Sequence, residues 1–251
     1  MNSRNQSFTF ELPLVEGIIK NRPNRFIMNV EIDGIVYACH CPATGRIGGI
    51  DLKTIPCLLS KAKDSKRKTP FTVEAISLDL STHEEKTWIG INQNAANRYI
   101  EYFLKSEQLG NMVANGSSVL REQKLGNSRL DFLVGNTYIE VKTPLITLPH
   151  SENVTYKKEV EFNSFERFIK HITELAESLG QNNRAILLNC FLYDNPRFQI
   201  PPGTEHSVPI TEAVRKSVHS GVEIWQINIE VEPTGVNLLK CFDITEDFMK
   251  L

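Results

Sequence analysis

The chain has 251 residues and a formal net charge of −2, enough for two moderate domains or one large one at roughly 100–200 residues per domain. Its 41% hydrophobic and 23% charged residues exclude a disordered, collagenous or fibrous protein. No apolar run approaches the ~20 residues of a membrane span, the first twenty residues lack a signal-peptide core, and the five cysteines are irregularly spaced. A cytoplasmic protein with reduced thiols and no membrane partner is therefore expected.

In chain order, Phe26–Ile32 and Ile35–His40 are rich in strand formers and joined by Asp33-Gly34. That dipeptide suits a two-residue hairpin, whose turn positions both need positive φ. Cys41-Pro42 through Gly45 breaks the second strand, and Phe71–Leu78 and Trp88–Ile91 read as further strands. Short strands without an intervening helix predict a small barrel or sandwich. From Asn94 the period changes: Ala95, Ala96, Tyr99, Ile100, Phe103 and Leu104 form a helical stripe that ends near Gly110. Strands follow around Ser118–Lys124, Arg129–Val134 and Thr137–Thr143, the last two joined by Gly135-Asn136. Asn163 with Glu166 marks a helix start whose apolar stripe (Phe165, Phe168, Ile169, Ile172, Leu175, Ala176, Leu179) is closed by Gly180. Ala185–Leu192 is a nearly continuous apolar run, as in a strand covered on both faces. A helix over Ile210–Ser220, stopped by Gly221, and a strand over Val222–Val231 complete the pattern. The second part thus runs α-β-β-β-α-β and then α-β, a mixed sheet with helices on its faces.

The chemistry concentrates on the predicted hairpin. Alternation puts Glu140 and Lys142 on one side of their strand, and the turn places Asp131 nearly opposite Glu140. Two carboxylates converging on an apolar sheet call for a compensating cation, because repulsion and desolvation both oppose them. Oxygen ligands favour Mg²⁺ or Mn²⁺ over Zn²⁺, with Asp131 and Glu140 as the metal ligands. Lys142 would orient a water or balance charge on a pentavalent phosphate. An isolated Glu-x-Lys on a strand is ordinarily a plain ion pair. An Asp on the preceding strand and the order α-β-β-β-α-β match the D-(x)n-E-x-K nucleases. Glu122 on the neighbouring strand is the candidate third acid, with Glu101 on the first helix its competitor. Lys170 and His171 lie on the following helix, where such folds present phosphate-binding groups.

Charge is uneven along the chain. Residues 18–68 carry ten Lys and Arg against four acids, whereas residues 221–251 carry two against six, an asymmetry that suits a polyanion partner. Arg22, Arg25, Arg46, Lys66, Arg67 and Lys68 fall in loops or at strand ends, where they can reach phosphates, with Phe26, Tyr37 and Phe71 as nearby aromatics. Cys39-His40-Cys41 is not a zinc site, since neighbours on a strand alternate and no second pair follows at finger spacing.

The chain resembles the sugar fermentation stimulation protein A family over essentially its whole length. The resemblance rests on Asn24–Phe26, His40–Arg46, Lys66–Thr69, Ala96–Arg98, Ser128–Phe132, Tyr138–Lys142 and Arg167–Leu175. It implies an α+β chain with an N-terminal OB-like β-barrel for nucleic-acid binding (1–90) and a C-terminal restriction-endonuclease-like α/β domain with a mixed sheet (91–251). It also implies DNA binding and a regulatory link to sugar metabolism. The chain departs from the family at Ser151–Thr155, at Arg167-Phe168, and at Tyr102, where relatives tend to have Glu. The expectation is a DNA-binding protein with a Mg²⁺- or Mn²⁺-dependent phosphodiesterase site. The alternative is a DNA-binding regulator that retains the fold without turnover, and a second copy of the chain is a further candidate partner.

Overall fold

The computed structural model describes residues 6–43, 45–113, 118–125, 128–145, 148–156, 165–181, 183–199 and 207–249. Its N-terminal strands are β1 (Phe8–Thr9), β2 (Val15–Asn24), β3 (Ile27–Ile32), β4 (Ile35–His40), β5 (Pro56–Lys61), β6 (Phe71–Ile76) and β7 (Ile89–Gly90). All but β1 form a sheet in the order β4-β3-β2-β5-β6-β7, which closes into a five-stranded OB-like barrel where His40 of β4 pairs with Thr72 of β6. Asp33 and Gly34 turn the β3–β4 hairpin with φ of 49° and 80°. Ile19, Met28, Val30, Cys39, Cys57, Leu59 and Val73 fill the barrel.

The remaining elements are α1 (Gln93–Lys105), β8 (Val119–Leu125), β9 (Ser128–Val134), β10 (Thr137–Lys142), α2 (Phe165–Ser178), β11 (Arg184–Phe191), α3 (Ser207–His219), β12 (Glu223–Glu232), β13 (Gly235–Asp243) and α4 (Thr245–Met249). The second sheet is mixed, in the order β1-β13-β12-β11-β10-β9-β8, with β10, β11 and β12 parallel. Alternation along β11 feeds two cores. Ala185 and Leu187 pack with Ile172, Leu175, Val214 and Val218 of α2 and α3. Ile186, Leu188 and Cys190 pack with Ala96, Tyr99, Ile100 and Phe103 of α1.

The barrel and the second sheet share that latter core. Leu58, Ala75 and Trp88, on or beside the last barrel strands, belong to it, while their neighbours Leu59, Val73 and Ile89 face the barrel interior. The backbone crosses the same seam where Gly90 N–H donates to Leu192 O at 2.7 Å. A Cβ at Gly90 would lie 2.5 Å from Leu192, so only glycine permits this approach.

Four strands lie outside the elements expected from sequence. β1 joins β13 rather than the barrel, so the first described residues belong to the second sheet. β2 carries Gly17, Asn21, Arg22 and Pro23 and pairs with two register shifts, which erases a clean alternation. β5 starts on Pro56 and has consecutive buried Cys57, Leu58 and Leu59 because it serves two cores. β13 follows β12 through Pro233-Thr234, without the Asn-Gly or Asp-Gly signal of a hairpin. The expected helix start at Asn163 lies outside the described residues.

Candidate functional site

The second sheet forks between β9 and β10. Their antiparallel ladder runs from Thr137↔Val134 to Ile139↔Phe132 and stops there, while β10 stays paired with β11 as far as Lys142↔Asn189. Asp131 occupies the first step beyond the last β9–β10 pair. Its Oδ2 accepts the Val141 N–H at 2.8 Å, a side chain taking the place of a ladder carbonyl. Its Oδ1 accepts Asn97 Nδ2 at 2.6 Å, which ties the acid to α1. Burial, then the nearby charge of Glu140, pushes the Asp131 carboxyl above its usual range.

Glu140 is only 3% exposed. Its Oε1 accepts from Lys142 Nζ at 2.7 Å and contacts His171 Nδ1 of α2 at 2.5 Å. Its Oε2 is buried without a hydrogen-bond partner. Such an atom leaves a large desolvation cost uncompensated in the protein alone. A hard divalent cation suits these oxygen donors, because it would engage Oε2 and offset part of the burial and repulsion that raise Asp131. Among the described residues, no group of three or more His, Cys, Asp and Glu side chains forms a ready metal cage, so such an ion would rely on water or phosphate oxygens to complete its shell. The Lys142 side chain is 25% exposed, with Nζ 5.9 Å from the Phe168 ring centroid.

The other acids stand apart. Glu122 sits level with Asp131 in the β8–β9 register, yet its φ of 49° interrupts that ladder between Arg121↔Phe132 and Gln123↔Leu130. Its 68% exposed side chain lies 3.8 Å from Arg129. Glu101 is held by Lys105 at 2.6 Å and Arg121 at 3.2 Å, and these cations keep its carboxyl below the usual range. Tyr102 donates its hydroxyl to Ser7 O. Lys170 is exposed and 3.9 Å from Glu174.

His171 and Asn97 are the contacts that sequence reasoning underweighted. His171 lies one turn from Phe168 and Leu175 on the apolar stripe of α2, where a histidine is a legible signal of a buried polar contact. Asn97 lies beside the stripe of α1; its spacing does not mark it, and its one signal in the sequence is its place in the Ala96–Arg98 stretch of the family resemblance.

The basic residues gather on barrel loops and strand ends. Arg22 donates to Gly45 O, Arg25 O and Ala43 O, so its guanidinium fastens the loop after β4. Arg25 lies 4.6 Å over the ring of Phe26, which is 44% exposed. Lys66, Arg67 and Lys68 are exposed between β5 and β6, and Arg46 is exposed on the loop that Arg22 holds. His40 at the end of β4 pairs with Thr72 near the start of β6, which places the two loops at one end of the barrel, and burial first, then the charge of Arg67, lowers the pKa of His40. Tyr37 and Phe71 pack edge to face at 5.3 Å against the barrel core. Cys39 and Cys41 are buried and unpaired, and burial pushes the Cys39 thiol up to about 11.

The barrel's loops also meet the chain that leaves the fork. Beyond Lys142, Thr143 O accepts from Gln93 Nε2 and Leu145 O accepts from Gly48 N–H, and Tyr156 bridges to Ile50.

Comparison with known proteins gives a consistent pattern. The family described as SfsA N-terminal OB domain matches residues 21–91, and the one described as sugar fermentation stimulation protein RE domain matches residues 94–235. A sugar fermentation stimulation protein homolog of Synechococcus sp. (strain JA-3-3Ab) is 31% identical, the match covering 92% of this chain and 93% of that protein. The homolog of Picosynechococcus sp. (strain ATCC 27264 / PCC 7002 / PR-6) is 30% identical, with 94% and 93% covered. The solved structure of Pyrococcus furiosus SfsA in complex with Ca²⁺ superposes with a TM-score of 0.70 at 21% identity, covering 97% of this chain and 96% of that one.

Proposed function

Because the chain belongs to the sugar fermentation stimulation protein family, we propose that it binds DNA and carries a divalent-metal-dependent phosphodiesterase site at the fork between β9 and β10. The observation that carries this reading is the buried, unpartnered Oε2 of Glu140 beside a second carboxylate whose ionisation Glu140 itself opposes. Asp131 and Glu140 would hold Mg²⁺ or Mn²⁺, and the Pyrococcus furiosus neighbour, solved with Ca²⁺, is the precedent for a hard cation on this fold. Bound there, the ion supplies Lewis acidity toward a phosphodiester oxygen and a more acidic water.

The chain's own groups supply the rest. Asn97 and the Val141 N–H fix the Asp131 carboxylate from two directions, so it meets a ligand already oriented. Lys142, on a flexible stem at the mouth of the fork, offers an ammonium for the charge that develops on the phosphate. Lys66, Arg67, Lys68 and Arg46 would neutralise the DNA backbone, with Arg25 and Phe26 offering a stacked surface beside them.

A second reading, a DNA-binding regulator without turnover, is favoured by one observation: Lys142 and His171 both contact Oε1, so one of the two Glu140 oxygens is already satisfied by the protein itself. Incubating purified protein with supercoiled plasmid and with single-stranded DNA, in Mg²⁺, Mn²⁺ or EDTA, separates the two. Cleavage that needs the metal and is lost in D131A supports the enzyme. DNA shifted on a gel but left uncut supports the regulator, and cleavage unchanged in D131A overturns the site assignment.

A further inference from the structure

Glu140 has two donors, and both reach the same oxygen. Lys142 Nζ lies 2.7 Å and His171 Nδ1 2.5 Å from Oε1, while Oε2 has none. An ionised Glu140 carboxylate can only accept, so the hydrogen bond with His171 is made by the tautomer that carries its proton on Nδ1. The two donors differ in mobility. The histidine is buried and stands on α2 beside Ile172 and one turn from Leu175, both fully buried. Its surroundings leave it far less room to move than a solvent-facing side chain has. Lys142 is a quarter exposed on a four-carbon stem, and it can turn away.

We infer that His171 is the positioning residue of this site: it holds Glu140 by Oε1 so that Oε2 faces a divalent cation while Lys142 is released toward phosphate. This rests on the metal-site reading above. One ammonium cannot both anchor Glu140 and follow a phosphodiester, so a less mobile second donor on Oε1 is what lets Lys142 leave without stranding a buried carboxylate. Hydrogen bonds that orient a ligating carboxylate typically govern metal affinity by about 10–100-fold.

The test is Mn²⁺ affinity of the full chain without DNA, read from the free-ion signal in electron paramagnetic resonance, with a thermal melt on each variant. H171N keeps a donor near the Nδ1 position but loses ring volume, and H171F keeps volume but has no donor. Affinity near wild type in H171N and weakened about 10–100-fold in H171F is expected. The reverse order means that His171 only packs, and it overturns the proposal. K142M decides independently should H171F fail to fold: Mn²⁺ affinity little changed or tighter is expected, and a marked loss would make Lys142 the anchor and sink the inference. If the wild-type chain itself binds no Mn²⁺, the metal reading fails and takes this inference with it. If only the variants disagree, the metal reading stands and the role of His171 falls.

Discussion

Asp131 is a carboxylate under two opposing influences. Burial and the charge of Glu140 disfavour its ionised form, while hydrogen bonds from the Val141 N–H and Asn97 favour it, and the first pair dominates. With its folded-state pKa above the unfolded one, Asp131 contributes stability below the ordinary carboxylate range, and that contribution is lost as pH rises through the raised value. Above that window the folded chain carries a disfavoured charge that a divalent cation would relieve. The Tm gain from Mg²⁺ is therefore expected to grow as pH rises across the window, and a gain independent of pH would contradict the coupling. In E140Q the Asp131 carboxyl, followed by carbon NMR, is expected to titrate lower than in wild type. An unchanged midpoint would show that Glu140's charge does not reach it. At this scale the Glu140–Lys142 contact was legible because alternation along one strand puts both on one face, whereas the break in β9–β10 pairing that lets Asp131 take the Val141 N–H was not. His171 was half legible, as a polar residue on an apolar stripe, and Asn97 was not, because contact across elements leaves no local period.

Between elements, one tie fastens the start of α1 to the barrel. Asn92 caps the helix, its Oδ1 accepting from the Ala95 N–H, and its Nδ2 donates to the buried Glu74 on β6 at 2.7 Å. Glu74 also accepts from Ser60 of β5. One side chain thus serves a helix terminus and a buried barrel carboxylate together. Loss of an ordinary N-cap costs about 1 kcal/mol, and leaving a buried acceptor short of its donor adds about 1–3 kcal/mol. N92A is expected to lower unfolding free energy in urea by about 2–4 kcal/mol, and a loss of about 1 kcal/mol or less would mean that Glu74 finds another partner. The β3–β4 hairpin and the stripes of α1 and α2 could be read from the chain because local chemistry dictates them. β2, β5 and β13 could not. Bulges and Gly17 blur β2, double duty between two cores removes the alternation of β5, and β13 depends on a turn without the usual residues.

Across the whole molecule, charge is distributed by use. Two acids near the C-terminus are spent internally: Glu223 takes two nitrogens of Arg184, and Asp247 pairs with Arg197. The basic residues divide instead. Arg22 is committed to three loop carbonyls, whereas Lys66, Arg67 and Lys68 are exposed. Their variants should therefore behave differently. Changing Lys66, Arg67 and Lys68 to Gln is expected to weaken DNA binding and to flatten the dependence of log K on log salt by up to about 0.9 per lost phosphate contact on duplex. R22A is expected to lower Tm as well as affinity, because it frees the loop. An unchanged salt slope in the triple variant would place the DNA elsewhere. Sequence alone could find the basic run but could not tell an arginine that holds a loop from one that awaits a phosphate. On the proposed reading, the forked sheet brings Asp131 and Glu140 to one hard cation. Anomalous diffraction from crystals soaked in Mn²⁺ addresses it directly. The account requires a single strong peak between Asp131 and the Oε2 of Glu140, and manganese bound elsewhere, with Oε2 still without a partner, would contradict it.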